Sequence, residues 1–179
     1  MQAPPGAQTQ FNILHAPLRT LARRVEPTHI VIDCGGQGQC GPNTCAYLLG
    51  LARVMSVDGP QLRRLVVEHV QQPSHLTHVT NCSKPDGQPF TLGELIVECV
   101  RSWPAPAREG HQPTVATWAT LIGKPETWTD LAFLHCVADV ALVSIDVLAV
   151  NDLSQTWHVG LIKPCDGRPS KAALQVGMW

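Results

Sequence analysis

The stretch from His29 to Met55, HIVIDCGGQGQCGPNTCAYLLGLARVM, constrains this chain more than any other part of it. It opens on a short, β-branched apolar run that ends at Asp33 and has the character of a buried strand. A glycine-rich turn follows, Gly35-Gly36-Gln37-Gly38-Gln39, and then Cys40. Beyond Cys40 the pattern is helical, with Ala46, Leu49, Ala52 and Val54 or Met55 on one side. Pro42 falls in the first turn, where a missing backbone N–H costs little. A cysteine on the first turn of a helix has a specific physical meaning. The helix N-terminus favours negative charge and so the thiolate form. The N–H groups of the tight loop are free to face a developing oxyanion. This is how a nucleophile is built, and the rest of the chain should supply its base.

In chain order, residues 1–10 read as a polar lead-in and 11–24 as a short helix broken by Pro17. After the nucleophile helix, the sequence Ser56-Val57-Asp58-Gly59-Pro60 is a turn. Residues 61–72 put Leu62, Leu65, Val66 and Val70 on a helical face, with His69 at its rim. Residues 73–89 read as a loop. His75, His78 and Cys82 within it offer three zinc ligands, but without a CxxC pair the expectation is no metal and no cofactor. Thr91 and Glu94 form a capping box that opens a helix running to Trp103. Residues 104–125 read as irregular, 127–139 as a helix with Leu131, Leu134 and Val137 inward, and 140–150 as the strongest strand. A turn at 151–154 and a return strand at 156–163 complete a hairpin, and 164–179 read as a polar tail. Together these elements predict one α+β domain over residues 1–179, with helices on a small, mostly antiparallel sheet. Residues 1–10 and 166–179 are expected at its periphery.

Composition narrows the partners. A net charge of −1 without a basic run gives nothing to hold nucleic acid, and the longest apolar stretch, 140–150, is too short to cross a bilayer. The seven cysteines are an odd number, and several lie within apolar helical patterns as small hydrophobes do. A reducing compartment is expected, and a monomer.

A nucleophilic cysteine needs a histidine within reach and a third group to orient it. Of the eight histidines, His158 has the best context, because it lies on a strand that follows the long buried one. Trp157 beside it can shield an ion pair from water and border a substrate channel. His158 as an ordinary strand residue is the bland alternative. Asp33, seven residues before Cys40, either orients the histidine or caps its own loop. Cys45 reads as packing, and Cys34 carries no assignment.

These residues carry a resemblance. The loop Gly36-Gln37-Gly38-Gln39-Cys40-Gly41 is similar to the G-D-G-x-C-G nucleophile loop of the ovarian-tumour (OTU) cysteine proteases. Glycine after the cysteine looks most like the papain-like OTU proteases of nidovirus (arterivirus-type) replicase polyproteins. The segment from Trp128 to Leu134 resembles the family's W-G-x-x-x-E-L helix. Residues 143–147 resemble the strand that follows it, and Trp157-His158-Val159 fall where the family carries its histidine. The likeness spans residues 30–163, and only the cysteine loop is specific. It implies a papain-like fold and a deubiquitinase that cleaves after a C-terminal Gly-Gly, with a viral polyprotein as a further substrate. Cys40 would be the nucleophile and His158 the base, with Gln37, Gly38 and Gln39 lining the oxyanion hole and ubiquitin or a ubiquitin-like modifier as partner. In the arterivirus branch the third group lies at the position of Asp33. Most cellular members place it two residues after the histidine, where this chain has Gly160. The family's loop Asp is Gln37 here, and the aromatic precedes the histidine rather than following it. Two other readings stay open: a papain-like amidase of different specificity, and a non-catalytic ubiquitin-binding module.

Overall fold

The structure, a computed structural model, describes residues 38–103, 110–150 and 156–178. The strand expected at 29–33, with Asp33, Cys34 and Gln37, lies outside them, as do the lead-in, the helix within 11–24 and the turn at 151–154. The described elements begin with α1 (Cys40–Leu51), α2 (Gly59–Val70) and a short α3 (Pro73–Leu76). A hairpin of β1 (Val79–Ser83) and β2 (Pro89–Thr91) runs into α4 (Leu92–Ser102). Then come α5 (Val115–Ile122) and α6 (Leu131–Ala141). The chain finishes in β3 (Val143–Val150), β4 (Thr156–Ile162), a 3₁₀ turn at Cys165–Gly167 and β5 (Ala172–Met178). The larger sheet has the order β4-β3-β5, antiparallel between β3 and β4 and parallel between β3 and β5. The fold is α+β, with helices on small sheets.

The centre of the molecule is α6. Phe133, Leu134, Cys136, Val137, Ala138 and Ala141 are all buried, so the helix is apolar nearly all round, as a helix wrapped by its neighbours must be. It packs against α2, α4 and β3. Surrounding helices bury one face each: Leu62, Val66 and Val70 on α2, and Leu92, Leu95, Ile96 and Val100 on α4. Each such side chain, fully buried, contributes roughly 1.5–3 kcal/mol. Both helices start on a reciprocal capping box, Asp58 with Gln61 and Thr91 with Glu94. The sequence signal at Thr91 therefore describes a real start, and Lys84 Nζ adds a bond to Glu94 at 2.7 Å.

Four sequence expectations need correction. Residues 73–89 are not simply loop, because Val79–Ser83 pairs with Pro89–Thr91, and the buried Thr80 hydroxyl donates to Phe90 O at 2.9 Å. The stretch 104–125 is not irregular throughout, since Thr114 caps α5 through Thr117 N and buries Trp118 and Ile122. The helix expected from Thr127 begins at Leu131, capped by Asp130. The tail is not peripheral: β5 pairs with β3 along Val143–Ala149, and Leu174 and Val176 enter the core. Its alternation of inward Leu174 and Val176 with more open Ala173 and Gln175 is the period of a half-buried strand.

Candidate active site

Cys40 is the first residue of α1 and is half-buried. Gln39 precedes it with helical φ/ψ, and no side chain caps the helix. Gln39 O accepts from Asn43 N at 2.9 Å, the ordinary first helical bond. The N–H groups of the first turn, at the Cys40 end of the helix, therefore have no side-chain cap. Gln39 Oε1 is buried beside them and has no hydrogen-bond partner among the described residues.

The turn before Cys40 is held from below. Gly38 has φ +84°, and a Cβ there would lie 2.5–2.6 Å from backbone atoms of Pro125 and Glu126. Glycine is needed at this position both for its conformation and for that close approach. Gly41 is needed for another reason: a Cβ would lie 2.0 Å from Thr129 Oγ1. The segment 125–129, between α5 and α6, is thus a floor pressed against both sides of Cys40. Trp128 in that floor is 59 % exposed, a large aromatic next to a reactive position.

Arg63, on α2 and buried, ties this arrangement together. Its guanidinium donates to Gly38 O at 2.7 Å, to Thr127 O at 3.1 Å and to Ile122 O. One planar fork therefore fixes the nucleophile turn, the floor and the end of α5. Burial pushes its pKa down, and the nearby Cys40 and Glu126 act to raise it again. Arginine remains charged through such a shift. Sequence reading missed Arg63, which looks like one of an exposed Arg63-Arg64 pair in an amphipathic helix. Its position one turn before the core residue Val66 was the available signal.

His158 lies on β4, opposite Leu148. The register slips there: Val147 faces Gly160 and Leu148 faces His158, so Val159 is an extra residue. Gly160 carries φ +153° at this bulge. Bulges re-aim side chains and recur next to active sites. Asp33 and Gln37 lie outside the described residues, as do the side chains of Trp157 and His158, whereas Gly38 and Gln39 form the turn and cap that lead into Cys40.

The His75, His78 and Cys82 grouping does not assemble. His75 Nδ1 contacts His69 O at 2.9 Å, and Cys82 Sγ instead meets His135 Nε2 at 3.2 Å. Burial pushes the Cys82 thiol up and the His135 imidazole down to about 4. Both partners are therefore neutral near pH 7, and this is not a second thiolate–imidazolium pair. His135 has a consequence for stability. Its folded pKa is below the unfolded value of about 6.5, so the unfolded chain binds the extra proton. Stability is then expected to fall by about 3 kcal/mol as pH drops from 6.5 to 4. Asp139, held well below the usual carboxylate range by its neighbours, contributes only below about pH 4. Urea unfolding at pH 7, 5.5 and 4.5 tests this, and His135→Gln should flatten the slope above pH 4.

No family model matches the chain, and no curated protein matches it. Solved structures do. The chain is similar to the crystal structure of an OTU deubiquitinase from Wolbachia pipientis wMel, with a TM-score of 0.50 and 16% identity over 83% of this chain and 81% of that one. The fold is OTU-like. A ubiquitin-bound crystal structure of an OTU deubiquitinase from the same organism aligns with TM-score 0.49 and 15% identity, covering 80% of this chain and 85% of that one. What the first likeness shows is the fold alone.

Proposed function

We propose that this chain is a deubiquitinating cysteine protease. The observation that carries the reading is Cys40 as first residue of an uncapped helix, behind a glycine turn, in an OTU-like fold. In the reaction, His158 takes the thiol proton and the thiolate attacks the carbonyl carbon that follows a C-terminal Gly-Gly. Backbone N–H groups from Gln37 to Cys40 hold the oxyanion. The C–N bond breaks, His158 returns the proton to the leaving amine, and water then hydrolyses the thioester. Asp33 orients the imidazole, since Gly160 has no side chain to do so. Trp128 and Trp157 border the channel for the extended Gly-Gly tail. Ubiquitin or a ubiquitin-like modifier is the partner, met by a single chain in a reducing cytoplasm. The finer reading, a nidovirus-type protease that also cuts its own polyprotein, rests on Gly41 after Cys40.

Covalent labelling tests the proposal, using ubiquitin with a C-terminal thiol-reactive warhead on wild type, Cys40→Ala and His158→Ala. The expected result is one adduct at Cys40, absent from Cys40→Ala and slowed by more than a hundredfold in His158→Ala. If Cys40 takes a small alkylating agent but never the ubiquitin probe, the substrate assignment is wrong. If it reacts with neither, the chain is a binding module.

A further inference from the structure

A second cluster lies at the far end of α2. His69 sits six residues beyond Arg63, about 9 Å further along the helix axis. Its Nε2 lies 3.0 Å from Asp139 Oδ2, and His78 Nδ1 lies 3.1 Å from the same oxygen. The three donor atoms all fall within 4.8 Å of one another. Three separate elements contribute them: α2, the turn before β1, and α6.

We infer that His69 Nε2, His78 Nδ1 and Asp139 Oδ2 form a zinc site that locks these three elements together. Hydrogen bonding accounts for the His78 side of the cluster, where Nδ1 meets Asp139 Oδ2 at 3.1 Å, and less well for the His69 side. His69 has a side-chain exposure of 9 %, and its Nε2, although 3.0 Å from the carboxylate, is poorly aligned to donate a directed hydrogen bond to it. A lone pair converging on a shared ion requires no N–H directed at Oδ2. Separations of 3.0–3.1 Å leave room for one ion to bridge each imidazole nitrogen and the carboxylate oxygen with metal–ligand bonds near 2.0–2.1 Å.

The surroundings are those of a supported ligand set. Asp139 has no exposed side-chain surface, and its other oxygen accepts from Cys165 N at 2.9 Å and from Arg168. Oδ2 is the oxygen that faces both imidazoles. His75 stacks on His69 with ring centroids 4.1 Å apart, fixing the imidazole plane. The second nitrogen of His78 faces Asp166 Oδ2 at 3.8 Å, the carboxylate behind a metal-bound histidine that orients such ligands. His78 is 21 % exposed, which gives a fourth ligand, water, a way in. Two imidazoles and one carboxylate suit zinc better than calcium or magnesium.

The test is zinc binding by the whole chain after chelator treatment, in a Cys40→Ala background so that the reactive thiol does not compete. One equivalent of zinc should remain through gel filtration, measured by elemental mass spectrometry. His69→Gln with His78→Gln should weaken binding at least a hundredfold, whereas Cys82→Ser should leave it unchanged. Cobalt substitution provides a readout that does not depend on a variant folding. Visible bands of a tetrahedral ion without a thiolate charge-transfer band are the expected spectrum. A thiolate band, undiminished zinc in the double variant, or failure of the wild-type site to retain zinc would overturn the assignment.

Discussion

Arg63→Met is expected to lower the melting temperature by about 6–12 °C and to slow ubiquitin-probe labelling of Cys40 by about a hundredfold. Three carbonyls, those of Gly38, Ile122 and Thr127, lose their donor together. Each charge-assisted bond is worth about 1.5–3 kcal/mol, and leaving the acceptors unpaired adds to that loss. Removing a buried guanidinium relieves its own desolvation, which offsets part of it. A net loss of about 3 kcal/mol remains. The activity effect has a separate cause. Gly38 is pinned between Arg63 on one side and Pro125 and Glu126 on the other, so the turn that leads into Cys40 loosens when the fork goes. A small alkylating agent does not use the oxyanion donors, and its rate should change only a few-fold. Differential scanning calorimetry and the two labelling rates together separate these effects. Arg63→Lys should rescue little, because one ammonium cannot span three carbonyls as a planar fork does. Equal slowing of both reagents would mean that Arg63 supports only the fold.

The nucleophile region was legible because its chemistry is local. A glycine turn, a cysteine and a helical pattern lie within one short run, and Cys40 does open a helix. The capping box at Thr91 was equally local, and so were the long strand and its return partner. What escaped depends on contacts distant in sequence. Nothing near Arg63 in the chain shows that its carbonyl partners come from residues 38, 122 and 127. Asp139 read as the end of a helix, yet it gathers His69, His78, Cys165 and Arg168. α5 was hidden by its composition: Val115, Thr117 and Thr120 are weak helix formers, and tertiary burial of Trp118 and Ile122 overrides that preference. β5 was hidden by its polar lead, Arg168 to Lys171, although the Leu174–Val176 alternation was present.

Asp130→Asn provides the second large effect and an unusual one, since asparagine ordinarily replaces aspartate at a helix start with little loss. Here both carboxylate oxygens are committed. Oδ1 caps α6 by accepting from Phe133 N at 3.0 Å, and Oδ2 accepts from the indole N–H groups of Trp118 at 2.9 Å and Trp103 at 3.2 Å. Burial pushes the Asp130 carboxyl up, and those donors act to pull it down. An asparagine has one acceptor oxygen. If that oxygen caps the helix, its NH₂ faces two indole donors; if it turns to the indoles, the cap is lost. Trp118 is fully buried, so its N–H cannot turn to water. The expected loss is about 3 kcal/mol for Asp130→Asn and about 4 kcal/mol for Asp130→Ala. Asp58→Asn, on the exposed cap of α2 where one oxygen serves Gln61 N at 2.7 Å, should change stability by less than about 0.5 kcal/mol. Parallel urea titrations of the three variants give the comparison, and a wild-type midpoint for Asp130→Asn would show that the two-oxygen argument fails. The link to the active site is direct, because Thr129, the neighbour of Asp130, is the residue packed against Gly41. A helix start that holds two tryptophans also sets the floor beneath Cys40, so the rate of probe labelling should fall in both Asp130 variants and stay at the wild-type value in Asp58→Asn.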